Sequence, residues 1–568
     1  MSANPPVKHL WPNFWRLLKP YWVSKEGRKG WVLLLLILIL TGGSVYLAKS
    51  FNSWYNDFYN SMQNYDLPGF KKSLLIFCGL ASLHVVVSVY LSYFRQMLSI
   101  NWRRWLTNHI METWLDKGNY YRLQLTDTKT DNPDQRIAED ISQFVTNTLS
   151  LSLGILTDLA MLVTFVTVLW TLSTPLDFEL LGHAIHLPQG YMVWMTLGYA
   201  IIGTLFTFVI GRPLVQLNFN QQRFEADFRF SLIRLRENAE SIALYKGEEE
   251  EGKLLGGRFT HVVGNYFQLM RRQKKLGFFT FGYNQAAVIF PFIVGAPSYF
   301  AKVIQLGGLI QISSAFGRVQ DSLSTLINNF IGLAEWKAVV DRLSTFQQGL
   351  DHTEGLPHIE PERSGDALQL RELEVNHPLN GALMQAANWQ LQPGESLLIQ
   401  GPSGCGKSTL LRTLAGLWPF ATGGVAYPLA GEVLFLSQKP YLPLGTLREA
   451  LCYPLTPQHD AVLLPLLKEV GLEPLAPRLD DNELWSHILS VGEQQRIAFA
   501  RALLVKPSLL FMDEASSALD ESSEARLYTL LKERLPHTIM VSVGHRSTLQ
   551  PFHNRLLRWQ PEGEWQFA

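Results

Sequence analysis

The hydrophobic pattern of the chain changes near residue 350. Before that point apolar residues come in runs of about 20, the length a helix needs to cross a bilayer. The clearest run is 31–47, which begins WVLLLLILIL, and others follow at 74–94, 149–172, 191–210 and 276–300. The last carries Pro291 and Pro297, which membrane helices tolerate when they pack against neighbours and which predict a kink. A sixth run, 306–333, is weaker, because it contains Gln311, Arg318, Gln320, Asp321, Asn328 and Asn329. Lipid does not accept such residues on an exposed face. The segment is either a soluble helix or a span lining a polar path, and five strong spans before it favour the span. From residue 368 short apolar strands alternate with helices, the pattern of an α/β fold with a parallel sheet. Between the two regimes lie an amphipathic helix at 336–350, carrying Asp341 and Arg342, and a stretch at 353–364 rich in Pro, Glu and His. The expected divisions are an interfacial elbow at 1–30, a six-helix membrane domain at 31–343, a linker at 344–367 and an α/β domain at 368–568.

Charge sets the orientation. Lys8, Arg16, Lys19, Lys25, Arg28 and Lys29 accompany Trp11, Trp15 and Trp22 with no cleavage pattern, as in an amphipathic segment lying on a membrane surface. The loop after the second run carries Arg95, Arg103, Arg104, Lys117, Arg122, Lys129 and Arg136, and the loop after the fourth carries Arg212, Arg223, Arg229, Arg234, Arg236 and Lys246. The loop 173–190 has no Lys or Arg. By the positive-inside rule the N-terminus, both long loops and the C-terminal half face the cytoplasm; Lys71 and Lys72 run mildly against this without reversing it. In the first long loop Asp131, Asn132, Pro133, Asp134 and Gln135 read as a turn and helix start, and 226–243 reads as an amphipathic helix with Phe228, Leu232, Leu235, Ala239 and Ile242 on one face. Such elbows are placed to press on the C-terminal domain. Over the whole chain 49 Lys and Arg balance 49 Asp and Glu, so nothing points to nucleic acid. Cys78, Cys405 and Cys452 lack metal-ligand spacing, and Cys405 reads as a small filler.

The chemistry starts at Gly401, Pro402, Ser403, Gly404, Cys405, Gly406, Lys407, Ser408 and Thr409, between an apolar strand (396–399) and a helix. This is the phosphate-loop pattern. Its glycines let backbone N–H groups close around phosphates, Lys407 reaches the β- and γ-phosphates, and the Ser408 hydroxyl is a Mg²⁺ ligand. The run 509–512 ends in Asp513 and Glu514: Asp513 holds the same ion, and Glu514 orients or deprotonates the attacking water. A third strand, 541–543, leads to His545, placed to hydrogen-bond the γ-phosphate.

Between these motifs Leu489, Ser490, Val491, Gly492, Glu493, Gln494, Gln495 and Arg496 resemble the LSGGQ signature of ABC transporters. The resemblance implies that Ser490, Gly492 and Glu493 face nucleotide bound by a second copy. It further implies that Gln438 is the Q-loop glutamine linking Mg²⁺ and water to the membrane domain, that Ser517, Ala518, Leu519 and Asp520 form the D-loop, and that His545 is the switch histidine. Val491 and Glu493 depart from the usual signature, and no aromatic for adenine stacking precedes the phosphate loop: Val375, Asn376, His377 and Pro378 stand there. More narrowly, DNPDQRIAED, FEADFRFSLIRLRENAESIALY, LSQKPYLPLGTLREAL and LSVGEQQRIAFARALL resemble the bacterial YddA-type half-transporters, in which glutamate at the position of Glu493 is usual. These are similar to the peroxisomal fatty acyl-CoA transporters, and the membrane half, especially 51–59, resembles SbmA/BacA peptide-uptake proteins. The implied protein is an ATP- and Mg²⁺-dependent homodimeric transporter of the bacterial inner membrane with the membrane domain of an ABC exporter. It would move a bulky amphiphilic or hydrophilic solute. The alternatives are a proton-coupled SbmA-like permease with an accessory ATPase, and a membrane-anchored regulatory ATPase.

Overall fold

A computed structural model describes residues 10–126, 132–180, 183–356, 358–377, 381–559 and 565–567. Lys8, Lys129, Asp131 and Pro378 lie outside the described residues, as do the side chains of Asn328 and Asn329. The chain divides into two compact units, 1–111 with 132–346, and 112–131 with 347–568.

The first unit is helical. Among the described residues five helical segments are long and apolar enough to cross a bilayer: Gly27–Gln63, Leu67–Leu115 (which a 3₁₀ turn at Asp116–Gly118 parts from Asn119–Thr126), Pro133–Leu172, Tyr191–Glu237 and Glu248–Phe300. Each outruns its apolar stretch, as expected where a membrane helix continues into water. Pro291 and Pro297 both lie inside the unbroken Glu248–Phe300 helix. The helix at the N-terminus, Leu10–Val23, buries Asn13, Phe14, Leu17 and Tyr21 and leaves Trp11 and Trp15 exposed. Tyr21 stacks on Trp102 with centroids 5.8 Å apart, and Phe14 meets Trp336 edge-on at 5.1 Å. Each such buried ring contributes about 2–3 kcal/mol. The loop without Lys or Arg forms an antiparallel hairpin, Leu176–Leu180 with His183–Leu187.

Two expectations about the helices change. The helix read at 226–243 is broken at Asn238: one helix ends at Glu237 and a short one, Ala239–Tyr245, begins, leaving Leu244 and Tyr245 exposed. Its apolar spacing is helical on both sides of the break, so periodicity could not reveal it. The polar sixth run and the helix at 336–350 are one element, Leu306–Glu354, so residues 344–354 are helical where a linker was expected. In this helix Gln311 and Gln320 are buried, whereas Arg318 and Asp321 are exposed one turn apart. At its start Gly307 N–H donates to Asn60 Oδ1 and Leu306 N–H to Gln63 Oε1, each at 2.8 Å, so amides of the Gly27–Gln63 helix cap its free N-terminal donors.

The second unit is the α/β domain. Its main sheet runs Trp565–Phe567, Arg555–Trp559, Ser396–Gln400, Ile539–Val543, Leu509–Asp513, Val433–Leu436 and is parallel except for the first strand. A four-stranded sheet is ordered Glu362–Arg363, Ala421–Tyr427, Leu368–His377, Gly381–Leu391. The central strands are apolar on both faces, which is why they read as continuous hydrophobic runs. The segment of the first long loop up to Thr126 belongs to this unit. Its helix Asn119–Thr126 packs Leu125 against the core around Leu370 and Leu411. Lys117 pairs with Glu360 at 2.6 Å, and Gly118 (φ +76°) approaches Leu417 so closely that a Cβ would sit 3.1 Å from it.

His553 gives this unit a pH dependence. Its Nε2 is 2.7 Å from Ser542 Oγ and its Nδ1 2.8 Å from Leu549 O, in a pocket beside Tyr528. Burial pushes its pKa down from 6.5 to about 4. Above pH 6.5 the ring is neutral in both folded and unfolded chains, and the fold has its full stability. As pH falls from 6.5 toward about 4 the unfolded chain takes up the proton first, and about 3 kcal/mol of stability is lost. The unfolding midpoint of this unit in the purified full chain should therefore drop across that window, and His553→Gln should flatten the drop.

Candidate functional site

Four neighbouring parallel strands deliver the site from the same edge of the main sheet. Ser396–Gln400 leads into the phosphate loop, Ile539–Val543 into His545, Leu509–Asp513 into Glu514, and Val433–Leu436 into Gln438. Carboxyl ends of parallel strands are where α/β sheets place ligands. The loop itself is shaped by glycine. Gly404 and Gly406 have φ of +84° and +102°, and a Cβ at Gly401 would lie 2.8 Å from both Cys405 Sγ and Trp559 Cβ. Cys405 is buried against that glycine, a packing role. Pro402 and Ser403 complete the turn, and Lys407, Ser408 and Thr409 open the helix Lys407–Leu414.

Lys407 is only 6% exposed, and its Nζ donates to Gly401 O at 2.9 Å and Pro402 O at 2.8 Å. A buried ammonium that finds only loop carbonyls among the described residues keeps a strong preference for an anion at the loop mouth. Ser408 Oγ donates to Asp513 Oδ1 at 3.1 Å. Burial raises the Asp513 pKa above the usual carboxylate range, the Ser408 hydroxyl opposes that, and the neighbouring Glu514 charge adds to it. A hydroxyl and a carboxylate side by side, with a second acid next door, make an oxygen donor set suited to a hard divalent cation such as Mg²⁺. The loop and this pair therefore fit a nucleotide phosphate with its metal.

Glu514 is held on both sides. Gln438 Nε2 donates to its Oε2 at 3.1 Å, and His545 Nε2 lies 3.0 Å from its Oε1. Its backbone has φ +49°, a strained value for a side-chain-bearing residue, and its N–H donates to Val543 O at 3.0 Å. Sequence reasoning thus named three residues that the fold does bring together. The signature segment serves a local purpose as well. Ser490 caps the helix Val491–Val505, and Glu493 Oε2 accepts from Ser490 N–H at 2.9 Å and from Ser490 Oγ at 2.8 Å. A carboxylate is the stronger acceptor at a helix N-terminus, which accounts for glutamate here. Gly492 packs beside Ala518, where a Cβ would lie 3.2 Å from the Ala518 carbonyl oxygen. His377 stacks on Trp418 with centroids 6.3 Å apart.

Other polar residues of the site were not legible. Arg546, next to His545, donates to Leu519 O at 2.7 Å and Ser517 O at 2.9 Å. Glu524 is buried and accepts from Ser516 Oγ at 2.7 Å. Gln495 is fully buried between Gln438, Ser517 and Ala518. Each lies one or a few residues from a recognised motif, but only the folded contacts give it a partner.

A phosphate loop, an acid-terminated strand and a signature helix on one sheet, fused to membrane helices, define an ATPase coupled to transport. Known families agree: residues 17–300 match the family ABC transporter transmembrane region 2, and residues 384–517 match the family ABC transporter. The chain is 37% identical to the inner membrane ABC transporter ATP-binding protein YddA of Escherichia coli over 533 residues, 93% of this chain and 94% of that protein. It is 34% identical to the chloroplastic ABC transporter D family member 2 of Arabidopsis thaliana, covering 97% and 86%. It is 28% identical to the human lysosomal cobalamin transporter, covering 97% and 94%. The chain belongs to the ABC transporter family, as a multi-pass membrane protein carrying permease and ATPase in one polypeptide.

Proposed function

We propose that two copies of this chain form a homodimeric transporter in a bacterial inner membrane, driven by ATP and Mg²⁺, with the N-terminus and ATPase unit in the cytoplasm. The observation that carries the reading is the Glu514 carboxylate held between Gln438 and His545 beside the Ser408–Asp513 pair. In this reading the phosphate loop and Lys407 bind the triphosphate, and Ser408, Asp513 and Gln438 would hold Mg²⁺, which would offset phosphate charge. Glu514 takes the proton of the attacking water as the water oxygen bonds to the γ-phosphorus and the bond to the bridging oxygen breaks, giving ADP and phosphate, while His545 holds the Glu514 carboxylate and reaches the γ-phosphate. Ser490, Gly492 and Glu493 line the facing site of the second copy, so one chain carries half of each catalytic centre. His377, already stacked on Trp418, is the aromatic surface nearest in sequence to the adenine position, which supports ATP binding with modest base selectivity.

The solute is a bulky amphiphilic or hydrophilic compound. The exposed Arg318 and Asp321 of the sixth helix support a polar path, and a relative is named for transport of cobalamin, a large polar molecule. The test uses the purified protein in proteoliposomes and a panel of such solutes. Under this reading at least one solute raises ATP hydrolysis and is moved only with ATP. Transport should persist when a protonophore collapses the proton gradient. Transport that runs on the gradient without ATP would establish the proton-coupled alternative. Hydrolysis with no solute movement across the panel would favour a regulatory ATPase.

A further inference from the structure

Gln495 follows the signature segment but lies inside the domain, fully buried, on the helix Val491–Val505. Its Nε2 donates to the backbone oxygen of Gln438 at 2.9 Å and to Ser517 Oγ at 3.1 Å, and its Oε1 accepts from Ala518 N–H at 2.9 Å. One amide thus ties together three separate segments: the helix after the signature, the loop after strand Val433–Leu436, and the loop after strand Leu509–Asp513. The partners fix the orientation of the amide, since its oxygen meets an N–H and its nitrogen meets a carbonyl. The amide gives a donor to the Gln438 loop, and both a donor and an acceptor to the loop of Ser517 and Ala518. The contact to Gln438 is the telling one. It is made to the main chain of the residue whose side chain donates to Glu514 Oε2. The other loop follows directly from Glu514 itself, whose carbonyl accepts from Ser517 N–H at 3.1 Å.

We propose that Gln495 is a positioning residue for hydrolysis: its amide fixes the loop of Gln438 against the loop of Glu514 and so sets the Gln438 amide on the catalytic carboxylate. The proposal rests on the roles of Gln438 and Glu514 given above. Gln495 touches no reacting atom and acts through the geometry of the other two. The ligand loop 401–408 makes no contact with it among the described hydrogen bonds, so nucleotide affinity is separable from turnover.

The experiment is a double-variant cycle on the purified full chain, reading kcat, KM for ATP and the thermal midpoint. Gln495→Met keeps the length and volume of the side chain and removes both hydrogen-bonding groups. It is expected to lower kcat about tenfold or more, with KM for ATP within about twofold of the parent. Combined with Gln438→Ala it should cost no more than the more damaging single change, because both act on the same contact. Where Gln495→Met does not fold, Gln495→Glu carries the same comparison, since it retains an acceptor for Ala518 N–H and sets an oxygen against the Gln438 carbonyl. Losses that multiply in the double variant would mark Gln495 as structural only and overturn the proposal. A slow Gln438→Ala beside a variant of Gln495 with parental kcat sinks this proposal alone. A Gln438→Ala variant with parental kcat sinks the reading of Gln438 and this proposal with it.

Discussion

Glu514→Gln is expected to lower steady-state ATP hydrolysis by about 10²- to 10⁴-fold while nucleotide stays bound. The substitution preserves shape. Glutamine can occupy the same strained backbone, φ +49°, and keep the N–H bond to Val543 O. It cannot accept a proton from water, and it can satisfy only one of the two neighbours as the carboxylate does. Gln438 Nε2 needs an acceptor at Oε2, so the new NH₂ must turn toward His545. The phosphate loop is untouched: Lys407 keeps its two carbonyl contacts, and Ser408 keeps Asp513. Binding and hydrolysis should therefore separate, which is read by phosphate release on one hand and retained nucleotide on the other. Full turnover in this variant would remove Glu514 from the role of base. Weakened nucleotide retention would place its main contribution in binding instead.

The parts of this site that could be read from the sequence are those whose chemistry is local. The phosphate loop needs glycines at fixed offsets from Lys407, because backbone conformations at Gly404 and Gly406 lie at positive φ. Asp513 and Glu514 stand at the end of an apolar strand, and two adjacent acids that close a buried run beside a phosphate loop point to a cation and a water. The five apolar spans are legible for the same reason: length and composition alone decide them. What could not be read is what the fold assembles from distant positions. Gln495 looks like any polar helix residue until Gln438, 57 residues away, is placed beside it. Trp418 acquires a meaning only when His377 stacks on it. The break at Asn238 lies among exposed residues and keeps the helical spacing on both sides, and Leu306–Glu354 joins two runs of different polarity, so periodicity is blind to both.

Asp140 is the second place where a single change should have a large effect. It ends a short π-helical stretch, Arg136–Asp140, at the start of the helix Ile141–Leu172, and its side chain is 2% exposed. Arg342, 202 residues away on the long helix Leu306–Glu354, donates to it in a fork, Nη2 to Oδ1 at 2.7 Å and Nε to Oδ2 at 2.9 Å. Arg136 Nη1 donates to Oδ2 at 2.7 Å. Two guanidinium groups thus converge on one buried carboxylate, and the same two helices meet again where Trp336 Nε1 donates to Thr148 Oγ1 at 2.8 Å. Removing the carboxylate leaves two cations facing each other with no counter-charge. For a fully buried pair such a loss costs about 3–5 kcal/mol. Arg342 is 38% exposed and can turn partly to water, so the expected cost of Asp140→Ala is about 3 kcal/mol, at the low end. The measurement is the unfolding midpoint of the membrane unit in the purified full chain. Adding Arg342→Met to Asp140→Ala should restore part of the loss, because it removes one stranded charge and supplies apolar contact in its place. A double variant no better than Asp140→Ala would mean that the pair is not what joins these helices. Nucleotide binding should survive in both variants, since no group of the phosphate loop touches Asp140 among the described hydrogen bonds and ion pairs. A defect confined to the membrane unit would then mark the Asp140 contact as the one that orders the start of the Ile141–Leu172 helix against Leu306–Glu354.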